Sequence, residues 1–282
     1  MKPMIKYRGG KSKEIQFFEE FIPQKYNRYF EPFFGGGALF FYLEPTKATI
    51  GDINTKLIEF YLGVRDDYEN LDKELKKISL LYTVNREEYE KKKKDCNDFV
   101  EDPNEILYYS IRDMFNGIQQ SKYSKALLYY FINKTAYSGM IRYNAKGEFN
   151  VPYGRYKNLN ISSITESHHK LLSNVSILNT DYKEIFAQAK EDDFMFLDPP
   201  YDCIFSDYGN TQYKNGFQEE NHEELAKEFK KLKCKCLMVI SKTPLTEKLY
   251  KGYIKKEYGK KYAVNIRNRF KSEATHLVIT NY

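Results

Sequence analysis

A glycine-rich turn between an apolar strand and a helix is the feature that most limits how this chain can fold. Residues 29–34 are mostly aromatic and run directly into Gly35-Gly36-Gly37. A helix-like segment follows at 38–43, and a second apolar segment ends at Asp52. This order predicts a βαβ unit, in which the glycines let the backbone turn tightly against a ligand and the acid binds ribose hydroxyls.

Further apolar segments extend this unit into a sheet. Buried strands are predicted at residues 48–52, 175–179, 194–197, 236–240 and 275–280. Strands that alternate with helices predict an α/β fold, in which helices cover both faces of a Rossmann-like sheet.

The second and third strands are separated by roughly a hundred residues, far more than an ordinary βα connection. Helical patterns occupy residues 57–64 and 68–78, and two short alternating runs around Asn144-Ala145-Lys146-Gly147 predict a β-hairpin. We therefore predict a sheet domain of residues 1–54 and 162–282, with a mainly helical insertion at 55–161.

The most specific short motif is Asp198-Pro199-Pro200-Tyr201, at the end of the fourth strand. Open α/β sheets place their chemistry at the carboxyl ends of the strands. Two prolines remove two backbone donors, so carbonyl acceptors remain beside a carboxylate and an aromatic ring. An exocyclic amino group needs such a site, because two acceptors on its protons localise its lone pair toward an electrophile. The ring can hold the base by stacking.

The glycine turn favours a nucleoside without phosphates, such as S-adenosylmethionine. It lacks the Gly-Lys-Ser/Thr ending of a P-loop and the full GxGxxG pattern of dinucleotide binding. A formal net charge of +6 permits nucleic-acid binding without requiring it.

The four cysteines form no CxxC pair and have no histidine at metal-ligand spacing, so we predict free thiols and no metal. None of the four histidines lies in a pattern that indicates acid–base catalysis. The first residues lack the apolar region of a signal peptide, and no segment has the length of a membrane span. We expect a cytoplasmic protein with no membrane partner, of unspecified oligomeric state.

Taken together, the motifs resemble the Dam-type DNA adenine methyltransferases, in which the cofactor motif precedes a recognition insertion and Asp-Pro-Pro-Tyr. The resemblance covers nearly the whole chain and includes residues 6–11, 31–37, 52–54 and 142–156. It implies a methyltransferase sheet and an insertion that recognises DNA. It also implies methyl transfer from S-adenosylmethionine to adenine N6 in double-stranded DNA, with the target base flipped out.

The resemblance also assigns residues. The cofactor-binding set is Tyr7, Lys11, Phe33, Gly35, Gly37, Asp52, Asp181, Tyr182 and Asp198. The catalytic set is Asp198, Pro199, Pro200 and Tyr201, with Asp198 and the Pro199 carbonyl on the target amino group and Tyr201 stacked on the base.

The DNA-binding set implied by the resemblance is Lys6, Met140, Arg142, Asn144, Pro152 and Tyr156. Arg142 would contact a guanine edge, Pro152 a thymine methyl, and Met140 would wedge into the base stack. These matches resemble members that methylate GATC. The polar segment 202–217 is interpreted as a lid over the flipped base.

Three alternatives stay open at this point. A cytosine N4 methyltransferase would use similar chemistry, and a methyltransferase acting on protein amides usually has Asn at the position of Asp198. A DNA-binding module could keep the fold without the activity, although intact Asp52, Asp198 and Tyr201 argue against it.

Overall fold

The computed structural model describes residues 1–95, 98–139, 141–201, 217–261 and 273–282. The strands are β1 (Tyr29–Glu31), β2 (Ala48–Gly51), β3 (Val175–Leu178), β4 (Phe194–Leu197), β5 (Lys235–Ser241), β6 (Ile254–Lys261) and β7 (Glu273–Thr280). The helices are α1 (Ala38–Leu43), α2 (Thr55–Asp66), α3 (Tyr68–Asp95), α4 (Pro103–Phe115), α5 (Lys125–Thr135), α6 (Glu166–Leu172), α7 (Tyr182–Phe186), α8 (Glu219–Lys231) and α9 (Pro244–Leu249).

The strands form one sheet in the order β3-β2-β1-β4-β5-β7-β6. The first five are parallel, whereas β7 runs antiparallel between β5 and β6. Alternate residues of β4 enter different buried clusters: Phe194 and Phe196 face one, Met195 and Leu197 the other. Both faces of the sheet are therefore buried, as parallel sheets require. The predicted α/β fold with a Rossmann-like sheet is confirmed.

The first strand is shorter than predicted. It ends at Glu31, so the expectation of a strand to residue 34 is wrong. Pro32 has no N–H group and cannot continue the ladder on that side. The chain turns there, and the Phe34 amide donates instead to the Gly51 carbonyl of β2 at 2.9 Å. This bond brings the glycine turn beside the end of β2.

The insertion is mainly helical, as predicted. Three of its helices begin at side-chain caps, where Asn54, Asp102 and Ser124 accept hydrogen bonds from backbone amides of the first turn. Helix α3 extends to Asp95, well past the predicted end at residue 78. One buried cluster continues from the sheet through α2–α5. The predicted domain boundaries stay a prediction.

The predicted hairpin is a short turn with two arms. The Asn144 amide donates to the Glu148 carbonyl at 2.8 Å, and the Gly147 amide returns to the Asn144 carbonyl at 2.9 Å. Tyr143 and Phe149 form an antiparallel bridge across the arms. Gly147 has a φ of +77°, a left-handed conformation that glycine adopts without a steric penalty. We call residues 141–156 the hairpin segment.

Several predictions concern residues outside the described part of the chain. These residues are Met140, Cys96 and Cys203, together with most of the segment interpreted as a lid, 202–216. Cys234 and Cys236 are buried free thiols. Within the described ranges, no helix is long and apolar enough to cross a bilayer. The same ranges contain no group of three His, Cys, Asp or Glu side chains placed to hold a metal ion.

Candidate active site

A cavity of about 890 Å³ lies at the carboxyl ends of β1, β2 and β4. Every residue of the predicted cofactor and catalytic sets lines it: Tyr7, Lys11, Phe33, Gly35, Gly37, Asp52, Asp181, Tyr182, Asp198, Pro199, Pro200 and Tyr201. Pockets for small ligands have volumes of roughly 300–1,000 Å³. The structure therefore brings both sets into one space large enough for a nucleoside and a base edge.

The glycine turn forms one wall of this cavity. Gly35 and Gly37 have φ angles of +48° and +64°, which side chains other than glycine rarely adopt. A Cβ on Gly35 would lie 2.6 Å from the Tyr7 ring, and one on Gly37 would lie 2.5 Å from the Phe34 ring. Glycine is thus required twice over, by backbone conformation and by the rings packed against the turn.

Asp52 is held beside this turn by backbone amides. Gly35 N donates to Oδ2 at 3.0 Å and Asn54 N donates to Oδ1 at 2.9 Å. Burial raises the pKa of Asp52, and these amide bonds partly oppose the rise. A carboxylate has about four lone-pair sites, so two amide donors leave capacity for ribose hydroxyls.

Another part of the cavity lining is aromatic. The ring of Phe33 stacks on that of Tyr182 with centroids 5.2 Å apart. Asp181 precedes Tyr182 and caps helix α7, where its Oδ1 accepts a hydrogen bond from Lys183 N at 3.0 Å. A flat apolar surface next to an acidic acceptor suits a purine ring with an amino group.

Lys11 connects the parts of the catalytic motif. Its side chain is 1% exposed, and its ammonium donates to Asp198 Oδ1 at 2.6 Å and to the Gly9 carbonyl at 3.1 Å. It also donates to the Tyr201 hydroxyl and lies 4.8 Å from the centre of that ring. Burial raises the pKa of Asp198, whereas the Lys11 charge lowers it. Burial is the larger effect, so the pKa of Asp198 lies above its ordinary value, and the Lys11 ammonium opposes this rise.

The sequence did not indicate the buried support beneath Tyr201. The His276 ring lies edge-on to Tyr201 at 5.2 Å, and its Nδ1 is 2.8 Å from Glu14 Oε2. The hydroxyl of Tyr258 donates to the same oxygen at 2.9 Å. Glu14 lies near the start of the chain, whereas Tyr258 and His276 are paired across the neighbouring strands β6 and β7. The sequence indicates no acid–base role for His276, and the structure places its ring in contact with Tyr201 of the catalytic motif.

Glu31 is a second buried group of the cavity to which the sequence motifs assign no role. It lines the cavity at the end of β1, is 2% exposed, and accepts a hydrogen bond from the Tyr29 hydroxyl at 2.6 Å. Burial is the main cause that raises its pKa to about 8. Glu31 is therefore largely protonated at neutral pH in the folded protein.

We expect the Glu31→Gln variant to be more stable than the wild type near pH 8 and nearly equal to it near pH 4. The glutamate pKa rises from an ordinary 4.5 to about 8 on folding, so its contribution to stability is lost as pH rises through that interval. Glutamine cannot ionise and escapes this loss. Thermal unfolding of the cofactor-free protein, measured as a function of pH, tests this difference in stability. Glu191→Gln is the control, because Glu191 is exposed. Parallel profiles for Glu31→Gln and wild type would contradict the prediction.

The described DNA-binding candidates lie at the insertion and the N-terminal segment. The Lys6 ammonium is 4.6 Å from the centre of the Tyr156 ring. Arg142 and Pro152 are exposed, and Arg142 Nε donates to Asn150 Oδ1 within the hairpin segment at 2.9 Å. Asn144 Oδ1 accepts from the amides of Lys146 and Glu148 and so closes the turn. A DNA contact by any of these residues stays a prediction.

The sheet order and the cavity at its carboxyl edge define the class, a Rossmann-like methyltransferase. A family model described as D12 class N6 adenine-specific DNA methyltransferase matches residues 7–266. The chain belongs to this family. It therefore uses S-adenosylmethionine to methylate adenine N6 in DNA, as the motifs predicted. The adenine-specific interpretation is confirmed over the cytosine alternative.

Similar proteins cover the same length. The chain is 36% identical to the Type II methyltransferase M.CviBI of Paramecium bursaria Chlorella virus NC1A, over 100% of both chains. It is 33% identical to the Type II methyltransferase M1.LlaDCHI of Lactococcus lactis subsp. cremoris, over 100% of this chain and 96% of the other. It is 28% identical to the DNA adenine methylase of Haemophilus influenzae, over 89% and 83%.

Proposed function

We propose that this enzyme methylates adenine in a specific duplex sequence by drawing the flipped base into the cavity that also holds the cofactor. The observation that carries this proposal is the single cavity of about 890 Å³, lined by both the glycine turn and the Asp198–Tyr201 motif. A base in a duplex has its amino group inside the stack, so reaching that cavity requires flipping, at a cost of a few kcal/mol.

The cofactor half of the cavity is assigned to Asp52, Phe33 and Tyr182. Two amides hold Asp52 in place for ribose hydroxyls, and the stacked rings offer a face for the adenine of the cofactor. Asp181, at the start of α7, is assigned to its amino group. When bound, S-adenosylmethionine supplies an electrophilic methyl group on a sulfonium.

We expect Asp52→Asn to weaken cofactor binding by roughly ten- to hundredfold, because hydrogen bonds to a charged group contribute about 1.5–3 kcal/mol. Asparagine retains an acceptor for one amide, so the turn has a reason to persist. Isothermal titration with S-adenosylmethionine measures the affinity, and Asp67→Asn in the insertion serves as control. An unchanged affinity for Asp52→Asn would refute the assignment.

The target half is assigned to the catalytic motif. Asp198 and the Pro199 carbonyl accept the two protons of adenine N6, which directs the nitrogen lone pair toward the methyl group. Tyr201 stacks on the base, supported by His276 from below. Lys11 orients Asp198 through the 2.6 Å bond, and its charge opposes the rise in the Asp198 pKa that burial causes. After transfer, the amine loses its extra proton to water or Asp198.

Sequence recognition is assigned to the hairpin segment and Lys6. Arg142 is exposed and its guanidinium can exchange the bond to Asn150 for the O6 and N7 atoms of guanine, a contact worth roughly 1–3 kcal/mol of discrimination. Pro152 is assigned to a thymine methyl, Tyr156 and Lys6 to the DNA beside it, and Met140 and Asn144 to the neighbouring bases. We propose GATC as the recognition sequence and the cytoplasm, with the genome, as the place of action.

Mapping N6-methyladenine in plasmid DNA treated with the purified enzyme tests this target directly. We expect the modified base within GATC, and protection of those sites from a nuclease that cuts only unmethylated GATC. Methylation of adenine in another sequence would refute GATC while leaving the activity intact. A Type II restriction–modification role is proposed from the similarity to two Type II methyltransferases.

A further inference from the structure

Two asparagines of the insertion each hold the backbone of one distant residue through a pair of hydrogen bonds. Asn133, in the last turn of α5, accepts from Lys6 N at 2.9 Å and donates to Lys6 O at 2.7 Å. Asn116, just after α4, accepts from Phe149 N at 2.8 Å and donates to Phe149 O at 3.0 Å. Each side-chain amide thus pairs with one residue as a neighbouring strand would.

Lys6 lies beside the catalytic cavity, and Phe149 lies in the hairpin segment. The Lys6 side chain is assigned to DNA, but its backbone lies between Ile5 and Tyr7, which both line the cavity. The Tyr7 ring packs against the glycine turn. Phe149 is in the second arm of the hairpin segment, next to Asn150, which binds Arg142. One asparagine therefore holds the N-terminal edge of the cavity, and the other holds the proposed DNA-reading arm.

Both asparagines are carried by helices that pack on each other. Phe115 of α4 and Tyr129 of α5 lie in ring contact at 6.2 Å, and Asn133 is 2% exposed. The same end of α5 also meets the hairpin segment directly, because the Gly154 amide donates to the Thr135 carbonyl at 2.8 Å. The packed α4–α5 pair therefore connects the two held backbones through ring contact and hydrogen bonds.

We propose that Asn116 and Asn133 are positioning residues that set the hairpin segment at a fixed distance from the catalytic cavity, so that recognition selects the adenine that is methylated. This inference rests on the proposed recognition by the hairpin segment. Misplacement of reacting groups by about 1 Å can cost roughly a hundredfold in rate. Neither asparagine needs to touch DNA, cofactor or base for this role.

The test compares Asn116→Ala and Asn133→Ala with wild type on two duplexes, one with the mapped target and one with a single base pair of it changed. Asn281→Ala is the matched control, because Asn281 also binds backbone groups through its side chain, at Cys234 and Cys236, far from the insertion. The readouts are kcat and KM for each duplex, cofactor affinity, and the melting temperature.

We expect each insertion variant to lose roughly tenfold or more in kcat/KM on the target and to discriminate less between the duplexes. Cofactor affinity should stay within about twofold. Asn281→Ala should lower the melting temperature. It should leave the ratio of kcat/KM between the two duplexes unchanged, because loss of folded enzyme lowers the activity on both duplexes by the same factor. If an alanine variant does not fold, Asn116→Asp or Asn133→Asp keeps the size and the acceptor but removes the donor, with the same expected result.

Arg142→Ala separates this inference from the function on which it rests. If Arg142→Ala loses discrimination while both asparagine variants keep it within about twofold, the positioning role is overturned and recognition by the hairpin segment stands. If Arg142→Ala also retains full discrimination, recognition by the hairpin segment fails and the positioning role fails with it.

Discussion

The Asp198→Ala variant should lose methyl transfer by at least about a hundredfold while it still binds cofactor and DNA. Removing one preorganised hydrogen-bonding group from an active site costs roughly 10²–10³ in rate. Here the lost group is a carboxylate aimed into the cavity and held by Lys11 at 2.6 Å. Without it, the adenine amino group has only the Pro199 carbonyl to localise its lone pair.

Single-turnover transfer from labelled S-adenosylmethionine to duplex DNA measures this effect on the chemical step alone. Asp192→Ala is the matched control, because Asp192 is exposed at the other end of the same strand. Binding isotherms for cofactor and DNA show whether the site is otherwise intact. A rate within about threefold of wild type would exclude Asp198 from the reaction.

The strands that carry the motifs could be predicted because each is a short apolar run ending in an unusual residue. β4 is buried along its whole length, and Asp198 follows it directly. Parallel strands bring their carboxyl ends to one edge, so the order of motifs already placed Asp52 and Asp198 near each other. Side-chain contacts are not needed to predict this proximity.

Other elements carry no such signal. β6 has the sequence IKKEYGKK, which lacks the apolar alternation of a half-buried strand. It lies at the edge of the sheet, where charged side chains prevent pairing with other chains. Helix α3 beyond Ile78 buries only Tyr82, so its second half shows no apolar stripe. Helices and strands are predicted from the spacing of their buried apolar residues, and these two segments have few buried residues.

The support of the site is also invisible in the sequence. Glu14 and His276 are 262 positions apart, and Asn133 reaches Lys6 across 127. Such bonds form only when the sheet and the insertion have packed together. The sequence around a single His or Asn does not indicate which distant residue it will bind. The chemistry of this enzyme could therefore be predicted from motifs, whereas the groups that orient its motifs could not.

The Lys11→Met variant should lose activity most strongly on the acidic side of its pH profile. Burial raises the pKa of Asp198, and the Lys11 ammonium is the largest influence that lowers it. Glu14 raises it further and His276 lowers it. Without Lys11, Asp198 takes up a proton at higher pH, and a protonated carboxyl is a poorer acceptor for the adenine amino group.

We therefore expect kcat/KM for DNA, at saturating cofactor, to fall roughly tenfold or more near neutral pH and to recover partly as pH rises. The acidic limb of the profile should lie at higher pH than in the wild type. Exposed Lys25→Met controls for the loss of one positive charge and should leave the limb in place. A uniform loss of activity at all pH values would mean that Lys11 serves binding or packing instead. An unshifted limb with full activity would show that the 2.6 Å contact with Asp198 has no part in catalysis.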